Sequence, residues 1–126
     1  MTSARAVLLL GSNVSDSRLK VSEALRRLQS LFSGVRASGI YPSEDVTGCG
    51  AAYHNAVVAL STDLTAPCLT ALCKSLEGAA GRTAADKANG IVPLDIDVVV
   101  YDGHVLRDAD YNAAHFRRGY EEIRQH

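Results

Sequence analysis

Leu94-Asp95-Ile96-Asp97-Val98-Val99-Val100-Tyr101 reads as a strand of a buried sheet into which two acids have been set. Successive side chains of an extended chain point to opposite faces. Asp95 and Asp97 therefore share one face, and Leu94, Ile96, Val98 and Val100 share the other. Two residues of rise place the acids about 6.5–7 Å apart at Cβ. Converging carboxylates can close such a gap around one hard cation, or around two lying about 3.5–4 Å apart. Taken alone, the stretch supports two readings, a metal-holding face or a polar stripe turned to water on a half-exposed antiparallel sheet.

Outward from this strand the chain alternates between two periodicities. Ala6 to Gly11 is a short apolar run closed by Gly11-Ser12-Asn13, a strand followed by a turn. A helix follows, capped by Ser15 or Asp16, with Val21, Ala24, Leu25, Leu28, Leu31 and Phe32 at helical spacing up to Ser33-Gly34. Val35 to Tyr41 reads as a second strand, weakened at Ser38-Gly39 and ended by Pro42; residues 42–52 read as a mobile loop. Tyr53 to Leu60 is a third strand. Tyr53, Asn55, Val57 and Ala59 lie on one of its faces, and His54, Ala56, Val58 and Leu60 on the other. Asp63 or Thr65 caps a second helix, Pro67 fits its first turn, and Leu69, Leu72, Cys73 and Leu76 give it a buried stripe. Gly81 to Gly90 lacks periodicity and reads as a second flexible loop. Past the acidic strand, Asp102-Gly103 signals a turn after which His104-Val105-Leu106 pairs back briefly.

Strand, helix, strand, strand, helix, strand is an α+β, ferredoxin-like βαββαβ order, an antiparallel sheet with both helices on one face. The other face is expected to receive ligand. A doubly wound parallel sheet is disfavoured because the second and third strands follow each other with no helix between them.

A length of 126 residues suits one domain, residues 1–126. Thirteen basic against fourteen acidic residues give a net charge of −1, which offers no broad footprint for nucleic acid or an anionic membrane, so local basic groups must carry any phosphate binding. No apolar run approaches the ~20 residues that span a bilayer. The first apolar segment is too short for a secretory signal, and a cytoplasmic location is expected. Cys49, Cys68 and Cys73 lack zinc or Cys-x-x-Cys spacing and read as reduced and structural, with Cys49 the most open to reaction.

Four motifs, Leu9-Leu10-Gly11-Ser12-Asn13, Tyr53-His54-Asn55-Ala56, Gly81-Arg82 and Pro93-Leu94-Asp95-Ile96-Asp97, stand in an order and spacing that resemble the 6-hydroxymethyl-7,8-dihydropterin pyrophosphokinase family over roughly residues 5–120. The resemblance implies Mg²⁺-dependent transfer of pyrophosphate from ATP to the pterin hydroxymethyl group in folate biosynthesis, with release of AMP. It also implies two Mg²⁺ ions held by Asp95 and Asp97, with Arg82 beside them as the third catalytic position. Asn55 and Tyr53, with Gly11 and Asn13, take substrate-binding positions. Glu77, Arg82, His115, Arg117 and Arg118 take ATP-binding positions. Partners would be the small molecules ATP and pterin, with neither nucleic acid nor membrane.

The sequence also departs from that family. Asn89-Gly90-Ile91-Val92-Pro93 carries neither the aromatic that stacks on the pterin nor the arginine ahead of Asp-x-Asp, and Ala84 stands at a lid arginine position. Each missing charge-assisted contact removes about 1.5–3 kcal/mol. The family's C-terminal segment is not matched beyond the basic cluster, which raises the expectation of a homo-oligomer. A second reading follows, a catalytically weakened or inactive paralogue that binds pterin or nucleotide in a regulatory role. A third is another two-metal nucleotidyl-transfer enzyme.

Overall fold

The computed structural model describes residues 3–43, 52–81 and 90–124. Its elements follow as β1 (Ala4–Ser12), α1 (Ser17–Leu31), β2 (Ser33–Ala37), β3 (Tyr41–Ser43), β4 (Tyr53–Thr62), α2 (Ala66–Ala79), β5 (Asp95–Tyr101), β6 (His104–Val105), α3 (Asp108–Tyr111) and α4 (Ala114–Arg124). The sheet runs β2-β4-β1-β5-β6, β3 also pairs with β4, and every pairing is antiparallel. This is the ferredoxin-like α+β arrangement that the element order predicts. No helix among the described residues is long and apolar enough to cross a membrane.

One face of the sheet packs on α1 and α2. Leu8 and Leu10 of β1, Ala56, Val58 and Leu60 of β4, and Ile96 and Val98 of β5 close on Val21, Leu28, Leu69, Cys73 and Leu76. Thr65 caps α2, its hydroxyl accepting from the Cys68 N–H at 3.3 Å, with Pro67 in the first turn. Asp16 is the N-cap of α1 but makes no side-chain capping bond. Cys68 is exposed on the outside of α2, unlike the buried Cys73, so the helical pattern overstates its part in the core. Leu31 is exposed as well.

Three expectations need correction. First, the opposite face is not left wholly open, because α4 lays Phe116 and Ile123 over Val7, Leu9, Val57, Ala59, Val99 and Val100. Second, Val100 lies on this face rather than with Val98. The β1–β5 register shifts between Val7 and Leu8, pairing Val7 with Val100 and Leu8 with Val98, and the extra residue reverses the alternation beyond it. Third, the second strand is two pieces. β2 ends at Ala37, and at Ser38 the side chain takes over the ladder: Ser38 Oγ accepts from the Val57 N–H at 2.9 Å and donates to the Gly39 carbonyl at 2.8 Å. Pro42 lies inside β3 opposite His54, tolerated because its strand is short and marginal to the sheet. Asp102-Gly103 forms the expected turn, with φ of 51° and 81°, the paired positive values of a two-residue hairpin loop. The two loops read at 42–52 and 81–90 lie largely outside the described residues, as does Cys49.

Gly119 sets how closely α4 can approach the sheet. A Cβ there would sit 2.6 Å from Val57 Cγ2 and 2.7 Å from the Tyr41 hydroxyl. Gly119→Val is expected to lower unfolding stability by about 1–3 kcal/mol through overpacking, read as a lower urea midpoint at unchanged slope. An unchanged midpoint would show that α4 does not pack here.

Candidate active site

The site begins with one row of residues across the strands. Tyr41 of β3 stands opposite Asn55 of β4, Asn55 opposite Gly11 of β1, and Gly11 opposite Asp95 of β5. In the next row Leu9 lies between Val57 and Asp97. Directly opposed residues share a face, so Asp95, Asp97 and Asn55 lie on the α4 side of the sheet, beyond the part that Phe116 covers. Gly11 is what lets the row close. Asn55 Nδ2 would be 2.8 Å from a Cβ at that position and Tyr53 Cδ2 3.5 Å, so both side chains lie over the glycine.

Asn55 is buried and fixed, its amide donating to the Leu10 carbonyl at 3.2 Å and its oxygen accepting from the Ser43 hydroxyl. A primary amide has two donors and two acceptor sites, and among the described residues one of each is used. Ser43 joins Tyr41, Pro42, Ala113, His115 and Arg118 around a cleft of about 530 Å³ between β3 and the start of α4. The Tyr41 hydroxyl donates to the His115 carbonyl, and the Arg118 guanidinium lies 4.8 Å over the Tyr41 ring. Burial pushes the Tyr41 hydroxyl up to about 12, which keeps it a proton donor. Arg117 turns elsewhere. It pairs with Glu121 at 2.8 Å and lies over the Tyr111 and Tyr120 rings, apart from the cleft lining.

Asn13 does different work. Its amide donates to the Gly90 carbonyl at 2.7 Å and accepts from the Val92 N–H at 2.6 Å, while its backbone N–H donates to the Val92 carbonyl at 2.9 Å. Asn13 thus holds the approach to β5 against the end of β1. Glu77 is buried on α2, where its carboxylate accepts from the Ile96 N–H at 2.8 Å. Arg82 and Ala84 lie outside the described residues.

Burial and then the adjoining Asp95, through a shared hydrogen bond and charge repulsion, push Asp97 up to about 8; Arg107 pulls the other way. Arg107 Nε lies 3.9 Å from Asp97, is itself bound to Asp110, and is half exposed, so it answers only part of the charge. Two acids on one face of β5 supply hard oxygen donors that fit a divalent cation, which keeps waters and takes further oxygens from a phosphate.

Residues 7–118 match the 7,8-dihydro-6-hydroxymethylpterin-pyrophosphokinase (HPPK) family. The chain belongs to the HPPK family. A curated relative, the 2-amino-4-hydroxy-6-hydroxymethyldihydropteridine pyrophosphokinase of Methylorubrum extorquens, is 32% identical over 108 residues, covering 82% of this chain and 67% of the relative.

Within this HPPK chain, sequence reasoning missed Arg107, Asp110, Tyr41 and Ser43. Arg107 and Asp110 follow a short hairpin whose turn hides their return toward β5. Ser43 reaches Asn55 only because β3 resumes pairing after the break at Ser38, which periodicity does not show.

The Asp97 shift fixes a sign. Its folded pKa lies above the usual ~3.9 of an unfolded aspartate. The stability it adds is therefore complete below about pH 4 and is lost as pH rises through about 8. Without divalent cations, melting temperature is expected to fall between pH 5 and pH 8 more steeply in the wild type than in Asp97→Asn. Parallel pH profiles would remove the acid pair as the source of the slope.

Proposed function

We propose that this chain transfers pyrophosphate from ATP to 6-hydroxymethyl-7,8-dihydropterin, releasing AMP. The observation that carries the reading is the shared face of Asp95, Asp97 and Asn55, adjoining a cleft with His115 and Arg118 on its wall. Family membership and the relative's name support the same reaction. The pterin hydroxyl oxygen forms a bond to the β-phosphorus, the bridging bond to the α-phosphate breaks, AMP leaves with that electron pair, and the hydroxyl proton passes to solvent. No protein nucleophile is required, so catalysis is positioning and charge neutralisation.

Asn55, pinned by Leu10 and Ser43, presents its other donor and acceptor to the edge of the heterocycle, with Tyr53 over Gly11 beside it. Asp95 and Asp97 would hold Mg²⁺, which neutralises triphosphate charge when bound. Arg118, planar and exposed at the cleft, suits phosphate oxygens, and Arg82 is assigned the same task from its motif. Arg117 contributes through its ring contacts unless Glu121 releases it.

A second reading is favoured by the approach to β5. Ile91, Val92 and Pro93 offer no ring for stacking and no guanidinium, which fits a paralogue that binds ligand and turns over weakly or not at all. Incubation with ATP, Mg²⁺ and hydroxymethyldihydropterin separates the two, read as AMP by chromatography. Mg²⁺-dependent AMP formation is expected, removed by chelation and lowered roughly a hundredfold, or about 3 kcal/mol, in Asp97→Ala. Calorimetric binding of pterin or nucleotide without AMP from folded protein would select the paralogue; neither binding nor AMP would overturn both readings.

A further inference from the structure

We infer that Glu77 is a positioning residue that sets the direction of the Asp95–Asp97 pair from the far side of the sheet; this rests on the pyrophosphokinase reading for the cation and nucleotide involved. On the side away from β1, β5 is only partly paired among the described residues. Among the described residues β6 and Leu106 reach Val99, Val100 and Tyr101 of β5, so the start of β5 lies beyond their hydrogen bonds. Ile96, between the two acids, lies opposite Leu10 but sends its N–H to Glu77 at 2.8 Å. A carboxylate from α2 thus stands where a neighbouring strand's carbonyl would otherwise be.

The placement is specific. Glu77 is buried beside Cys73 and Leu76, on the α2 side of the sheet, while Asp95 and Asp97 project from the opposite face. A charged acceptor to a buried amide is among the stronger hydrogen bonds, and its loss leaves an orphaned N–H. Holding the Ile96 N–H on the side away from β1 limits rotation of the peptide unit that joins Asp95 to Ile96. Partners one step removed from metal ligands commonly change metal affinity by about 10–100-fold. Glutamine keeps an acceptor oxygen in the same place and is the conservative replacement for this bond.

The test uses the full chain, with Mn²⁺ as an electron-spin-resonance probe in the presence of α,β-methylene-ATP. Glu77→Leu is expected to weaken Mn²⁺ binding about tenfold or more, and Glu77→Gln to recover most of it. Unchanged affinity in folded Glu77→Leu overturns the proposal, and so does a Glu77→Gln loss equal to that of leucine. Should the leucine variant not fold, wild-type hydrogen exchange decides the anchor: slow exchange at the Ile96 amide supports it, and exchange as fast as at a free strand edge overturns it. Failure of the wild type to bind Mn²⁺ with nucleotide removes the pyrophosphokinase reading and the proposed consequence together, while the Ile96 amide still reports separately on the anchor.

Discussion

Everything at the polar end of the sheet depends on the register of β5 against β1, in which Gly11 faces Asp95 and Leu9 faces Asp97. A slip of one residue would drive both carboxylates into the layer of Leu8, Leu10, α1 and α2 and turn Ile96 and Val98 out toward α4. Unpaired carboxylates in such a layer cost far more than the burial of two aliphatic side chains returns, so the register is strongly specified. Asn13 adds a polar lock. Three hydrogen bonds to residues 90–92 fix where the chain enters β5, and an offset there would orphan a buried amide.

The second constraint is the division of the α4-side face into two zones. Phe116 and Ile123 dry the zone of Val7, Leu9, Val57 and Ala59, and the polar row at the strand ends lies outside that apolar cluster. α4 can descend this far because Gly119 has no side chain, and its approach is held by the Tyr41 hydroxyl on the His115 carbonyl and by the Gly39 N–H on Glu122 at 2.9 Å. The helix that completes this core therefore also delivers His115 and Arg118 to the cleft. Packing and site geometry are one structure here, and the cover for this face comes from the chain itself.

Much of the fold was legible because β4 and the first half of β5 alternate strongly and β1 is a continuous apolar run. Residues 53–60 and 94–98 sorted their faces correctly, and the cap at Thr65, one of the two offered, with the Asp102-Gly103 turn, marked element ends. What escaped was every feature in which a tertiary contact overrides local pattern. The register shift that carries Val100 across the sheet, the side-chain substitution at Ser38 that splits β2 from β3, and the descent of α4 all depend on residues distant in sequence. For the candidate site the sequence offered a set of residue types. The division of labour among them was not legible: Asn13 and Glu77 are both tied to backbone, and neighbouring Arg117 and Arg118 turn to different partners.

That last separation bears on how a nearly neutral chain could hold a highly charged ligand. With a net charge of −1, attraction must come from local fields. The β5 side offers two acids and a partly engaged Arg107, while the β3 side of the cleft offers Arg118 with its guanidinium stacked on Tyr41. An anion approaching the acids alone would be repelled, and a cation bound by them alone would leave coordination positions to water. Under the proposed function a polyanion and a divalent cation arriving together would meet both sides, the cation at the acids and the polyanion at Arg118. Asp97 is pushed up to about 8 by burial and by Asp95, and a cation bound beside it would favour the ionised form.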